Sequence, residues 1–118
     1  MSSGEKVSRR SKYGAVPTVV DNIRFASKAE ARRYAELLLL QKAGEIEALE
    51  LQPKFPLLVN GVKVATYIGD FRYFALDRHS PPFEIIEDVK GGPTTPVYRL
   101  KKKLVLALHG VEITEVRA

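Results

Sequence analysis

Asp70, Asp88 and Lys90 are the residues whose types and spacing could do chemistry. Tyr67-Ile68-Gly69-Asp70-Phe71 and Ile85-Ile86-Glu87-Asp88-Val89-Lys90-Gly91 each set a carboxylate inside a run that otherwise reads as a buried strand. Side chains alternate along a strand, so Asp88 and Lys90 share one face and Glu87 takes the other. Asp and Lys are seldom buried without a partner or a ligand. Two carboxylates on nearby strands could hold a hard cation such as Mg²⁺ through oxygen, with a polarised water, and the Val89 carbonyl could add a further oxygen. Lys90 beside them could orient that water or stabilise charge developing on a phosphate. The neighbouring carboxylates favour its charged form, so an electrostatic role is expected rather than that of a base. Plain ion pairs, Asp70 with Arg72 and Asp88 with Lys90, are the simpler explanation of the same residues.

Several elements must position this group. Ser27 followed three residues later by Glu30 reads as a capping box that opens a helix. Ala31, Tyr34, Ala35, Leu38 and Leu39 follow as its expected buried stripe, and Gly44 as its stop. Glu45 to Leu51 reads as a short strand or a loop entering one, and Phe55 to Val59 as a strand. Asn60-Gly61 separates two apolar runs and predicts a tight hairpin. Val62 to Leu76 reads as one long return strand, with Gly69 marking a bulge or a close backbone approach. Gln52, ahead of Pro53, is either a site-edge residue or a turn residue. Phe83 to Lys90 is apolar on both faces, as a central strand would be. Thr95 with Pro96 opens a second helix, for which Val97, Leu100, Leu104 and Leu108 are the expected inner stripe and Gly110 the stop. Val111 to Val116 closes a βαβ unit with parallel strands. Upstream, Thr18 to Val20 and Ile23 to Phe25 flank an Asp21-Asn22 turn.

The balance of the chain points toward a polyanion. Its 118 residues suit a single domain, 13–118, behind a basic and disordered arm, 1–12. The net charge of +5 favours a nucleic-acid partner without proving one. Lys6, Arg9, Arg10 and Lys12 of the arm are candidate phosphate contacts. So are Tyr98, Lys101 and Lys102, at the start of the second helix, where a phosphate can also be held; a solvated helix face explains these three equally well. No apolar run reaches the roughly 18 residues of a membrane span, and no secretory signal is visible, so a cytoplasmic location is expected. With no cysteine, disulfides and thiolate metal sites are excluded. His79 and His109 stand too far apart in type of position to suggest zinc.

Asp70 followed by Asp88-Val89-Lys90 resembles the PD-(D/E)xK nuclease superfamily. Ser27 to Tyr34, Leu49 to Phe55, Tyr67 to Phe71 and Tyr98 to Lys103 are together similar to a small phage-borne family, domain of unknown function 1064, over about Lys12 to the C-terminus. Gly69 stands where the superfamily's name has a proline. The resemblance implies an α/β, restriction-endonuclease-like αβββαβ core with a mixed central sheet flanked by helices. It implies a metal-dependent endodeoxyribonuclease using Mg²⁺, or Mn²⁺ as a substitute, in the bacterial host's cytoplasm. Asp70 and Asp88 would be ligands, and Glu30 on the first helix would complete the metal site, in competition with its role as a cap. Branched DNA is implied by analogy with junction resolvases, and a homodimer would let two sites cut two strands. The alternatives are a non-catalytic basic DNA-binding module of a phage, or a structural phage protein.

Overall fold

The computed structural model describes residues 16–117. The arm's Lys6, Arg9, Arg10 and Lys12 lie outside them. The described residues form strands β1 (Thr18–Val20) and β2 (Ile23–Phe25), helix α1 (Lys28–Lys42), and strands β3 (Ile46–Leu51), β4 (Lys54–Val59), β5 (Val62–Ile68), β6 (Phe71–Asp77) and β7 (Ser80–Lys90). Helix α2 (Pro96–His109) and strand β8 (Ile113–Arg117) follow. The main sheet has the order β3-β6-β7-β8, antiparallel except for the parallel β7–β8 pair that α2 connects. The fold is thus mixed α/β, with a mixed sheet flanked by two helices.

The turn chemistry sits where the sequence puts it. Asp21 and Asn22 both adopt positive φ, as do Asn60 and Gly61, which gives each hairpin a two-residue turn matched to strand twist. The Ser27 hydroxyl accepts from the Glu30 amide at 3.1 Å, and the Thr95 hydroxyl accepts from the Tyr98 amide at 3.1 Å. Gly110 caps α2 with a left-handed φ of 68°, a conformation cheap only without a Cβ.

One strand expectation is corrected. Val62 to Leu76 is not a single strand: it breaks at Gly69-Asp70 into β5 and β6, which belong to different sheets. Opposite this break, β3 and β4 are separated at Gln52-Pro53. The Gln52 amide donates to the Asp70 carbonyl at 3.0 Å, and the Gly69 amide donates to the Pro53 carbonyl at 2.9 Å. The four strands therefore make one long hairpin bent at its middle. Space is tight at Gly69: a Cβ would lie 3.2 Å from Ile86 Cγ2 and 3.4 Å from Pro53 Cγ, so those side chains would have to give by a few tenths of an ångström.

Both helices are turned from their expected orientation. In α1 the buried face is Ala31, Tyr34 and Leu37, with Leu38 partly covered, while Ala35 and Leu39 face outward. Leu37 to Leu40 offers two equally apolar stripes, so hydrophobicity alone does not choose between them. Polar partners choose: Arg33 reaches Glu87 on β7, and Gln41 Oε1 accepts from the Leu49 amide at 2.9 Å. In α2, Val105 and Tyr98 face inward, whereas Val97 and Leu100 are 61% and 58% exposed. Here Tyr98 and Lys102 reach Glu115 on β8, and His109 Nε2 lies 2.7 Å from the Pro56 carbonyl. One core cluster joins α1 to the sheet through Phe25, Tyr34, Leu37, Phe71 and Tyr73. A second joins α2 to the bent hairpin through Phe55, Leu57, Tyr67, Ile86 and Val105.

Candidate active site

The bend builds the site. β6 pairs with β7 only as far as Phe71 opposite Glu87, and Asp70 is the residue at which the chain swings away toward β5. The Asp70 amide still donates to the Glu87 carbonyl at 2.9 Å. The next donor along this edge, the Val89 amide, has lost its backbone partner, and Asp70 Oδ2 accepts from it at 2.7 Å. A half-buried amide still needs an acceptor, and the carboxylate of Asp70 supplies it where the strand has turned away. Asp70 is thereby set beside Asp88. N–H and C=O of one strand residue point to the same side, so the Val89 carbonyl looks along this edge too.

Asp88 is 7% exposed and both of its oxygens are engaged. Tyr67 donates its hydroxyl to Oδ2 at 2.5 Å, and the Lys90 ammonium lies 3.0 Å from Oδ1. A carboxylate has about four lone-pair sites, so both bonds leave room for a cation. The Lys90 ammonium also sits 3.6 Å above the Tyr98 ring centroid. The expected Asp88–Lys90 pair is therefore present. The Asp70–Arg72 pair is not: Arg72 bonds Glu84 at 2.6 Å and approaches Glu50 at 3.6 Å.

Charge is held here against its preference. Burial first, then the neighbouring Glu30 carboxyl, push Asp70 up to about 7, against the pull of the Val89 amide. Asp88 is raised as well, chiefly by burial and further by the charge on Asp70, with Tyr67 and Lys90 opposing. Asp88 itself helps to lower Asp70, so the raising is not mutual; even so, carboxylates raised by burial and by neighbouring negative charge are stabilised by a cation beside them. Among the described residues no group of three His, Cys, Asp or Glu side chains is arranged to hold a metal. The donor set is two hard carboxylates, which fits Mg²⁺, an ion that usually keeps several waters and takes one or two carboxylates.

Glu30 comes to Asp70 but not to Asp88. It lines a hollow of about 120 Å³ with Asp70, Gln52, Arg24 and Phe25. Its Oε1 accepts from the Ala26 amide at 3.2 Å, rather than from Ser27 as a full capping box would have it. Gln52 stands at this rim with φ of 52°, an uncommon conformation for a side-chain-bearing residue. On the other side of Asp88, a cleft of about 330 Å³ is lined by Lys90, Lys101, Thr95, Tyr98, Tyr67 and Thr66. Lys101 thus shares the cleft with Asp88. Lys102 does not: it bonds Glu115 at 3.0 Å and lines a different cavity with Arg99 and Arg117.

Glu87 points away from Asp88, as strand alternation requires. It is 1% exposed and takes two bonds from Arg33, at 2.8 and 2.6 Å, plus one from the Tyr73 hydroxyl. Burial and Glu87 push Tyr73 up to about 12.

Sequence reasoning missed Tyr67 and Glu115 as parts of this site. The signal for Tyr67 was available, because a tyrosine on the buried face of a strand must find a partner for its hydroxyl. Nothing local marks Glu115, which is brought opposite Asp88 by the parallel register of β8 on β7.

A family described as protein of unknown function DUF1064 matches residues 10–116. The chain belongs to this family. No curated protein and no solved structure matches it. Family membership thus covers the bent hairpin, both helices and every residue of the Asp70–Asp88 site, while the chemistry must be argued from the geometry.

Proposed function

We propose that this DUF1064 protein is a metal-dependent endodeoxyribonuclease of PD-(D/E)xK type, built on a restriction-endonuclease-like core into which β4 and β5 are inserted. The observation that carries this reading is the approach of Asp70 to the Asp88–Lys90 edge, fixed by the Val89 amide at 2.7 Å. Asp70 and Asp88 would hold Mg²⁺ or Mn²⁺, with the Val89 carbonyl as a further oxygen. Lewis-acid polarisation of a phosphoryl oxygen and acidification of water are what such a cation supplies when bound.

The chain's own residues do the rest. A phosphodiester lies in the Lys90–Lys101 cleft, its charge met by the two ammonium groups and by the start of α2. Water adds to phosphorus, one P–O ester bond breaks, and the departing oxygen leaves as an alcohol, taking a proton from the attacking water directly or by way of solvent. Lys90 stabilises the negative charge that gathers on the phosphoryl oxygens. Tyr67 holds the Asp88 carboxylate in one orientation while this happens. The basic arm would add affinity, and two copies would cut two strands.

The test is a panel of linear, flapped and four-way DNAs incubated with Mg²⁺, Mn²⁺ or EDTA. Cleavage with either metal and none with EDTA is expected. In parallel, Mn²⁺ should raise the melting temperature of the wild type, because a ligand that binds only the folded state stabilises it. The Asp70→Asn variant should show a clearly smaller rise. No cleavage of any substrate, with no thermal shift, would sink the reading and leave a basic DNA-binding module.

Glu30 is tested separately. Glutamine still accepts the Ala26 amide, but it offers a cation no charge. Glu30→Gln should melt within a few degrees of wild type and cut at least about tenfold more slowly at limiting metal, with partial recovery at high Mn²⁺. Normal cutting would assign Glu30 to the helix start alone.

A further inference from the structure

Lys90 has a choice of carboxylates. Asp88 lies two residues before it on β7, and Glu115 stands opposite Asp88 on β8 in the parallel register. Both side chains lie on the α2 side of the sheet. The Lys90 ammonium is nevertheless at 3.0 Å from Asp88 Oδ1, and no bond joins it to Glu115. Tyr98 stands between the two. Its ring face lies 3.6 Å beneath the ammonium, and its hydroxyl donates to Glu115 Oε2 at 2.9 Å. Glu115 also takes Lys102 at 3.0 Å and Arg117 at 2.9 Å. Tyr98 is itself fixed at the first turn of α2, where its amide bonds the Thr95 hydroxyl.

We propose that Tyr98 is a positioning residue that fixes the Lys90 ammonium against Asp88, the ring holding the cation and the hydroxyl keeping Glu115 occupied. A flexible lysine is a point charge on four rotatable bonds, and a charge that must meet a reacting phosphate gains from being confined. A ring face attracts an ammonium without neutralising it, whereas a second carboxylate would draw it away from the site. Tyr98 is thus a wall of the site rather than a contact to DNA. The kinetic consequence rests on the nuclease reading; the placement of Lys90 does not.

The experiment therefore has two arms. In the first, the side-chain methylene resonances of Lys90 are observed by NMR in the full chain labelled at lysine, and assigned by their loss in Lys90→Ala. The ring should shift them upfield in wild type and in Tyr98→Phe, and the shift should vanish in Tyr98→Leu. Ordinary lysine positions in wild type overturn the proposal with no variant needed, so it remains exposed even if Tyr98→Leu does not fold. In the second arm, Tyr98→Leu should lower kcat for DNA cleavage by roughly tenfold, the range of a partly desolvated cation–π contact. KM should stay within about twofold. Tyr98→Phe, which keeps the ring, should lose much less. Tyr98→Leu should add little to Lys90→Ala, since both remove one arrangement. Equal losses in Tyr98→Phe and Tyr98→Leu, or losses fully additive with Lys90→Ala, would reduce Tyr98 to an anchor of α2. If wild type cuts no DNA, the nuclease reading fails while the first arm still decides the placement of Lys90.

Discussion

On the proposed nuclease reading, Asp88→Asn and Asp70→Asn should each reduce DNA cleavage by on the order of 10²–10³-fold or more, the loss expected when preorganised charge at a phosphoryl-transfer site is removed. Neither change should unfold the chain. At Asp88 an amide oxygen can still accept from Tyr67, and at Asp70 it can still accept from Val89. What disappears is the negative charge, on which a hard cation depends. The two variants should also differ from wild type in the opposite sense, in stability. With no divalent ion present, Asp70 is held at about 7, above its ordinary value of 3.8. Between those values the folded chain binds a proton that the unfolded chain has released, so stability falls as pH rises through that window. Removing the carboxylate removes this slope. Asp70→Asn should therefore melt higher than wild type near pH 8, and the gap should close near pH 4. A thermal melt series across that range, in EDTA, is the measurement. Wild-type cleavage by either variant would dissolve the site assignment, and a wild-type pH slope in Asp70→Asn would show the charge to be better solvated than its burial implies.

Arg33→Met should cost roughly 3 kcal/mol or more of folding stability, the order measured when one member of a buried ion pair is deleted. The loss arises from the group left behind. Glu87 is almost inaccessible to water, and without Arg33 its one side-chain partner among the described residues is the Tyr73 hydroxyl. Arg33→Met with Glu87→Gln should regain a good part of that loss, because the neutral amide still accepts from Tyr73 and no charge remains stranded. Urea titration of the three variants reads this directly. Equal stabilities for the single and double variants would mean that Arg33 acts through packing alone. Arg33 is one turn beyond Glu30, so the pair also fixes how α1 presents Glu30 to Asp70.

The parts of the fold that rest on local chemistry were legible in the chain. Asn60-Gly61, Asp21-Asn22, Ser27, Thr95 and Gly110 each act within a few residues, and their roles can be read without knowing the rest. The alternation that separates Glu87 from Asp88 and pairs Asp88 with Lys90 is equally local. The rotations of α1 and α2 were not legible, because long-range polar contacts decided them: Arg33 with Glu87, and Tyr98 and Lys102 with Glu115. The break at Gly69-Asp70 escaped for a similar reason. An unbroken β-prone run from Val62 to Leu76 contains no local stop other than Gly69. Only the matching kink at Gln52-Pro53, on the partner strands, shows that the whole hairpin bends there.

Because the carboxylate of Asp70 stands in for a strand that has turned away, the Val89 amide reports on the site as no side chain can. Its hydrogen-exchange rate measures how often Asp70 leaves the edge of β7. A single backbone resonance thus gauges, in the intact chain and without any substrate, how firmly the two carboxylates are held together.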